Sequence, residues 1–440
     1  MLISQSSPPL RGKIKIPGDK SISHRALIIG ASSVGKTRVN GLLEAEDIMA
    51  TVNILRSAGV EISKEKNFWT INGLGVGGLA SPKNILDFGN SGTSARLILG
   101  LLSTQGISAF VTGDSSLRKR PMNRVLVPLV KMGANFESFS EGFMPLYLRG
   151  TSEPVPIRYE LSVPSAQVKS AILFAGLNTP GITTVIEPDK TRDHTENMLQ
   201  SFGADILISK KNGGGRIISL EGEKELSATT VVIPGDPSSA AFPGVAALLV
   251  PDSQITIEKV GINPLRSGLI ETLIEMGADI EVTNITDSGG EKIGDITFCH
   301  GRLNGTDVVA SRAPSMIDEY PIAAIAAAFA KGKTRFQGLG ELKVKESDRF
   351  KAIIDGLTAC GVGVKAKEND IIIDGCDGPP PGGAIIAANL DHRIAMSYLV
   401  LGLASKNPVK VDGGNTISTS FPNFVGLMTN LGAIISQENA

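Results

Sequence analysis

The sequence predicts an α/β protein of two globular halves, each built around a bundle of three buried helices. Three observations carry this expectation. A helical stretch that runs into a glycine and then a short strand recurs six times. Each copy also contains an earlier helix that is nearly free of charge. The tetrapeptide Ile-Pro-Gly-Asp occurs twice, at Ile16–Asp19 and Ile233–Asp236, with three copies of the unit between.

The recurring helix ends are Leu55-Arg-Ser-Ala-Gly59, Val130-Lys-Met-Gly133, Leu199-Gln-Ser-Phe-Gly203, Ile274-Glu-Met-Gly277, Leu357-Thr-Ala-Cys-Gly361 and Met428-Thr-Asn-Leu-Gly432. Each glycine suits the left-handed position that closes a helix. Successive copies lie roughly 70 to 84 residues apart, the signature of one unit used repeatedly. The charge-poor helices are expected at 23–31, 93–103, 167–177, 239–250, 321–330 and 393–404. A helix apolar on all sides must be buried on all sides, so six of them imply two bundles of three, wrapped by amphipathic helices and short sheets. Their N-terminal ends are their polar parts. If the bundles are parallel, each half presents three helix N-termini on one face. The two Ile-Pro-Gly-Asp segments read as crossovers, placing 1–18 and 236–440 in one half and 19–235 in the other. Two adjacent crossovers would form a hinge.

Composition narrows the function classes. The chain has 440 residues, too many for a single compact core. Its 43 Lys+Arg nearly cancel its 44 Asp+Glu, which argues against nucleic acid as the main partner. Cys299, Cys360 and Cys376 are scattered without metal-ligand spacing, as expected in a reducing compartment. No apolar run approaches the ~20 residues that span a bilayer, and no signal or transit segment precedes the first strand. A soluble, cytoplasmic protein is expected, with no metal or cofactor and no membrane partner.

Candidate chemistry collects at the helix mouths. In Pro17-Gly-Asp-Lys-Ser-Ile-Ser-His-Arg25, Asp19 is placed to cap a helix whose first turns carry Lys20, Ser21 and Arg25. A helix N-terminus with added cations is an anion receptor. Leu117-Arg-Lys-Arg120-Pro-Met122 sets three cations before a proline expected to start a helix. Thr191-Arg192-Asp-His-Thr-Glu196 opens another helix, with Thr191 as its cap. In Leu342-Lys-Val-Lys345-Glu346-Ser-Asp-Arg349, Lys345 and Arg349 share a helical face if the helix includes both. Gly30-Ala-Ser-Ser-Val-Gly-Lys36-Thr37 matches the P-loop pattern. That pattern needs a long helix after Thr37, whereas Arg38-Val-Asn-Gly41 brings a β-branched residue and a glycine. A buried helix end and a turn are expected there instead.

Gly18-Asp-Lys-Ser-Ile-Ser-His-Arg25, Gly89-Asn-Ser-Gly-Thr-Ser-Ala-Arg96, Arg120-Pro-Met122, Ser165-Ala-Gln167, Lys345-Glu-Ser-Asp-Arg349 and Asp391-His-Arg393 together resemble the 5-enolpyruvylshikimate-3-phosphate synthase family. The resemblance implies two domains of three βαβαββ units each, with the site in the cleft between them. It implies transfer of the enolpyruvyl group of phosphoenolpyruvate to the 5-hydroxyl of 3-phosphoshikimate with release of phosphate, by a monomer acting on small molecules. By the same resemblance, Lys20, Ser21, Arg25, Ser165, Ala166, Gln167, Arg192, Asp318 and Lys345 hold 3-phosphoshikimate. Lys20, Gly92, Arg120, Gln167, Arg349 and Arg393 hold phosphoenolpyruvate. Asp318 takes the proton from the attacking hydroxyl, and Glu346 or Lys20 serves proton transfer at the methylene carbon.

The residue types suit that chemistry in their own right. Two phosphates and two carboxylates call for several cations in one place, and guanidinium groups pair bidentately with such anions. Asp318 and Glu346 are the carboxylates available among them for acid–base work. Two departures point to the second bacterial branch of the family: Thr419 stands where the better-known branch has a lysine, and Ser165-Ala-Gln167 replaces Ser-Ser-Gln. Some members of that branch tolerate glyphosate, often with alanine at the position of Gly92. The nearest alternative is the sister enzyme that moves enolpyruvyl onto UDP-N-acetylglucosamine, which uses a cysteine on the loop matching Thr112–Asn123. No cysteine lies there. A P-loop NTPase or kinase and a non-catalytic binding protein are the remaining alternatives.

Overall fold

The computed structural model describes residues 1–212, 214–288 and 290–438. The chain divides into two compact units. One comprises Met1–Pro17, Pro234–Asp287 and Lys292–Ala440; the other comprises Gly18–Ile233 with Ser288–Glu291. Ser288–Glu291 thus groups with the second unit, not with the rest of 236–440. Glu291 pairs there with His194, Nδ1 to Oε1 at 2.7 Å.

Six small sheets repeat one topology. In the sheet of Arg158–Glu160, Ile182–Glu187, Arg216–Glu221 and Ile206–Lys210, the first pair is parallel and the other two are antiparallel. A buried helix, Ala166–Leu177, links the parallel pair, and an outer helix, His194–Ser201, leads to the hairpin. This is the βαβαββ unit. Two sheets exchange a strand. Arg11–Lys15, just before the first crossover, pairs in parallel with Gln254–Gly261. Thr230–Val232, just before the second, pairs in parallel with Ser33–Asn40. The last unit is completed by the N-terminal strand Leu2–Gln5, which lies between Val409–Asp412 and Ile434–Gln437.

The six charge-poor helices run Lys20–Ala31, Gly92–Ser103, Ala166–Leu177, Pro237–Leu249, Tyr320–Phe329 and His392–Gly402. They form the centres of two separate hydrophobic cores, one per unit. All ten residues of Tyr320–Phe329 are buried, as a ring of Ala, Ile and Phe without a polar face requires. Small residues let the helices touch. At Gly100 an added Cβ would lie 2.2 Å from the Ala171 carbonyl oxygen of the neighbouring helix. The six helix-ending glycines all have positive φ, from +77° at Gly361 to +113° at Gly432, the conformation that lets a helix close and turn into its strand.

The segment resembling a P-loop is a helix end followed by an inner strand of a sheet. The helix stops at Ala31, and Ser33–Asn40 is a strand paired with Phe68–Leu74, with Lys36 exposed opposite Asn72. The strand starts where a turn was expected, because Val34, Thr37 and Val39 favour extended backbone. Without a following helix there is no N-terminus to cradle phosphate. Among the described residues no helix is long and apolar enough to cross a membrane.

Candidate active site

In the second unit, Asp19 caps the first buried helix by accepting from the Ile22 amide at 2.8 Å. Lys20 is thereby fixed at the helix start, and its ammonium pairs with Asp47 at 2.8 Å. One turn on, Arg25 is almost fully buried. Its Nε donates to the Thr195 hydroxyl at 2.6 Å, Nη2 to the Ser170 hydroxyl at 2.8 Å and Nη1 to the Ser21 carbonyl at 2.8 Å. Burial lowers its pKa to about 10; Glu196 and Asp19 work against that shift, and the Arg192 charge adds to it. Arg192 is therefore close enough for the two cations to repel, an arrangement that favours an anion between them. His24, beside them, is held well below its usual pKa by burial and by Lys20 and Arg25, so it is a neutral imidazole at neutral pH. Its Nδ1 meets the Thr51 hydroxyl at 2.8 Å, and Thr51 donates to Ser94 at 2.7 Å.

The other two helix mouths of this unit are joined side chain to side chain. Ser165 caps Ala166–Leu177. Gln167 donates from Nε2 to the Thr93 hydroxyl and accepts at Oε1 from Arg96, both at 2.9 Å. Arg120 follows the short turn Leu117–Lys119 and donates to the Asn90 amide oxygen at 2.6 Å and the Ser116 hydroxyl at 3.2 Å. Gly92 lies beneath these arginines. A Cβ there would sit 2.9 Å from both Arg120 Nη1 and Arg96 Nη1.

Arg192 lies on a segment tied down by a buried charge cluster. Lys169, wholly buried in an otherwise apolar helix, pairs with Glu187 at 2.8 Å and Glu196 at 2.7 Å, both equally buried. Glu187 also accepts from the Thr191 amide at 2.5 Å. Burial raises the Glu196 pKa, against the pull of Lys169. The helix here runs His194–Ser201 with Asp193 at its cap position, not Thr191; the Thr191 amide is already committed to Glu187.

The first unit gathers acids around one guanidinium. Arg349, fully buried, donates from Nε to Asp391 at 2.8 Å, contacts Glu346 at 2.6 Å through Nη2 and Asp318 at 3.3 Å through Nη1. Burial works against its charge, and Asp391, Glu346 and Asp318 more than offset it, so its pKa is raised. Burial likewise opposes ionisation of Asp391, and Arg349 overrides it, holding the carboxyl below the usual range. Asp391 in addition accepts from the Arg393 amide at 3.0 Å and the Ser347 hydroxyl at 3.0 Å. Arg393 donates to the Asp318 carbonyl at 3.3 Å and lies 3.8 Å from Glu319. Asp318 and Glu346 remain about one-fifth exposed.

Two local expectations are corrected here. Lys345 and Arg349 do not share a helix, because that helix starts at Arg349 with Asp348 as its cap. Lys345 lies in the preceding loop and is half-buried. Pro121 does not start a helix either, since the helix begins at Asn123. Thr419 sits against His392 at 3.3 Å, so its hydroxyl lies at the last helix mouth of this unit.

Each unit thus brings its own set together: Lys20, Ser21, Arg25, Gly92, Arg120, Ser165, Ala166, Gln167 and Arg192 in one, and Asp318, Lys345, Glu346, Arg349 and Arg393 in the other. Asp47, Asn90, Arg96, Lys169, Glu187 and Glu196 were given no role in the sequence reading, although Asn90, Arg96 and Glu196 lie within its motifs. Lys169 also left a sign, as the one charge inside the apolar stretch 168–177.

Comparison with known proteins shows the family and the fold. The family described as EPSP synthase (3-phosphoshikimate 1-carboxyvinyltransferase) matches residues 4–428. A 3-phosphoshikimate 1-carboxyvinyltransferase of Rhodospirillum rubrum is 54% identical over 440 residues, covering 99% of this chain and 98% of the relative. That of Paramagnetospirillum magneticum is 55% identical over 439 residues, covering 100% and 98%. Among solved structures, EPSP synthase from Acinetobacter baumannii superposes with a TM-score of 0.85 at 43% identity over 99% of both chains. The enolpyruvyl transferase NikO from Streptomyces tendae, at 19% identity and a TM-score of 0.78 over 100% of this chain and 99% of that one, shares the fold. With six βαβαββ units, the motif set and full-length relatives in agreement, the chain belongs to the EPSP synthase family.

Proposed function

We propose that residues of both units act on one pair of substrates, transferring the enolpyruvyl group of phosphoenolpyruvate to the 5-hydroxyl of 3-phosphoshikimate with release of phosphate. In this reading Lys20, Ser21, Arg25, Ser165, Ala166, Gln167, Arg192, Asp318 and Lys345 hold 3-phosphoshikimate. Lys20, Gly92, Arg120, Gln167, Arg349 and Arg393 hold phosphoenolpyruvate. The observation that carries the assignment is the contrast in how the arginines are held. Arg25 meets hydroxyls and a carbonyl as hydrogen-bond partners, whereas Arg349 is held among Asp391, Glu346 and Asp318 and keeps the Asp391 carboxyl below its usual range.

The chemistry follows from that division. Asp318, paired with Arg349 at 3.3 Å, accepts the proton of the 5-hydroxyl as its oxygen attacks the enol carbon. A proton is delivered to the methylene carbon, by Glu346 or by Lys20, which gives a tetrahedral adduct. Loss of a methyl proton then expels phosphate and restores the double bond. General acid–base assistance of this kind contributes about 10²–10⁴-fold.

The sister reaction on a nucleotide sugar finds no support, because the Thr112–Asn123 loop has no cysteine. The protein is taken to act as a monomer, each unit enclosing its own core. A cytoplasmic location fits three free cysteines. Phosphate release should require both 3-phosphoshikimate and phosphoenolpyruvate. Release from ATP, or with UDP-N-acetylglucosamine in place of 3-phosphoshikimate, would refute the assignment.

A further inference from the structure

The first unit contains an apolar cavity of about 260 Å³ that the enolpyruvyl chemistry does not use. Its walls come from Ala240 and Ala241 of the Pro237–Leu249 helix, Leu269 of the next outer helix, and Val282, Ile296 and Phe298 of the adjoining hairpin. Ile285, 58% exposed, lies on its lining toward solvent. The polar groups on the lining include Glu319 and Arg266. Glu319 is 4% exposed, and its Oε2 is buried with no hydrogen-bond partner. Its other oxygen accepts from the Ser238 hydroxyl. Arg266 is bound to that same Ser238 hydroxyl at 2.8 Å and to Asp236 at 3.3 Å.

These features define a ligand. An apolar cavity of about 150 Å³ holds one benzene ring, so this one has room for a bicycle. An unmatched buried carboxylate oxygen calls for a hydrogen-bond donor. A protonated amine would lie against the Arg266 guanidinium, and an anion against Glu319, so either charge would be buried beside its like. A neutral donor meets neither conflict. We propose that this cavity is a binding site for a neutral bicyclic aromatic molecule bearing a single N–H or O–H donor, which is received by Glu319 Oε2.

Occupancy reaches the candidate active site through one residue. Glu319 directly follows Asp318, and its carboxylate lies 3.8 Å from Arg393. An occupant that draws on Glu319 changes the charge Arg393 faces and the setting of Asp318. It therefore lowers the turnover of the enzyme without competing for either substrate. This second half rests on Arg393 and Asp318 acting as proposed above; the binding half does not.

The probe is indole, titrated calorimetrically into the full-length protein without substrates, with 1-methylindole as the same shape lacking the donor. Indole should bind, and 1-methylindole should bind at least tenfold more weakly. Ala240→Met, which fills the cavity from the helix, and Val282→Trp, which narrows it from the half-buried hairpin surface, should each weaken indole at least tenfold. Either variant that folds is sufficient. Absence of indole binding at millimolar concentration overturns the site, as does binding indifferent to both the methyl group and the fillings. In steady-state assays saturating indole should lower kcat and raise the KM for phosphoenolpyruvate, with that for 3-phosphoshikimate unchanged. Indole that binds as described yet leaves kcat untouched refutes the link to Arg393 while leaving the cavity assignment standing.

Discussion

Arg25 in the second unit is surrounded by two hydroxyls and a carbonyl, whereas Arg349 in the first is gripped by Asp391, Glu346 and Asp318. Both are buried, yet burial lowers the pKa of one to about 10 and is overridden in the other. A buried guanidinium with neutral partners keeps an unspent charge and suits the capture of an anion. One caged by carboxylates fixes those acids in place and keeps Asp391 below its usual range. In the proposed reading Arg349 thereby orders the acid–base groups beside the phosphoenolpyruvate that it helps to hold.

The largest expected effect lies on the acid side. Asp318→Asn should lower kcat by about 10²–10⁴-fold with the fold intact, because it removes the base and keeps the side-chain shape. Phosphate release under saturating substrates checks this; a loss below tenfold would take Asp318 out of that role. Arg349→Met comes next, and its effect should appear in stability. Removing one partner of a buried ion pair costs about 3–5 kcal/mol, and here it takes the guanidinium from the buried Asp391 and also from Glu346 and Asp318. Urea unfolding should report a loss in that range. Arg25→Met, whose hydrogen-bond partners are all neutral, should cost clearly less, and equal losses would erase the contrast between the units.

Gly92→Ala probes how tightly the arginines of the second unit are set. Its φ is not in the left-handed region, so strain comes from space alone: the new methyl meets Arg120 and Arg96 at 2.9 Å. Guanidinium tips can move, so the KM for phosphoenolpyruvate should rise a few-fold, with that for 3-phosphoshikimate little changed. A larger rise for 3-phosphoshikimate would mean that Arg120 serves the other substrate. The glyphosate inhibition constant should rise at least as much, and by the same displacement of arginines, not by direct contact with the methyl.

The smallest effect is a pH dependence confined to the second unit. His24 has a folded pKa well below its usual 6.5, so below about pH 6.5 the unfolded chain takes up a proton that the folded one refuses. Stability from this residue is present above that pH and falls as pH drops, by at most ~1.4 kcal/mol per pH unit. Glu196, whose pKa is raised, works in the opposite sense, but it is common to wild type and His24→Asn. The loss in urea midpoint between pH 7 and pH 5 should therefore be smaller in the variant. Asp391 behaves differently: its lowered pKa leaves its contribution intact above 3.8, and it is lost only as pH falls below that value. An equal loss in both proteins would mean that His24 is charged in the folded state.

The elements that could be read in the sequence are those set by local pattern. Glycines at 59, 133, 203, 277, 361 and 432 announced helix ends because only that residue closes a helix cheaply at positive φ. The six buried helices announced themselves by lacking charge. The exchanged strands at Arg11–Lys15 and Thr230–Val232 were not legible, since pairing between residues so far apart in the chain leaves no local trace. The same holds for the partners of the site. Asp47 beneath Lys20 and Asn90 beside Arg120 are ordinary polar residues in sequence and acquire meaning only through long-range contacts. Lys345 was misplaced because the spacing of four suggested a helix, whereas Asp348 caps one that begins just beyond it.

The division between a binding unit and a chemical unit is tested most directly by equilibrium binding of 3-phosphoshikimate to Arg25→Ala and Asp318→Asn, measured by calorimetry. Arg25→Ala should weaken binding by at least tenfold, the value expected when a charge-assisted contact worth about 1.5–3 kcal/mol is removed. Asp318→Asn should bind within a few-fold of wild type although its turnover is lost. If the two variants lose affinity alike, or if Arg25→Ala binds normally, the two units are not divided between anion capture and acid–base chemistry.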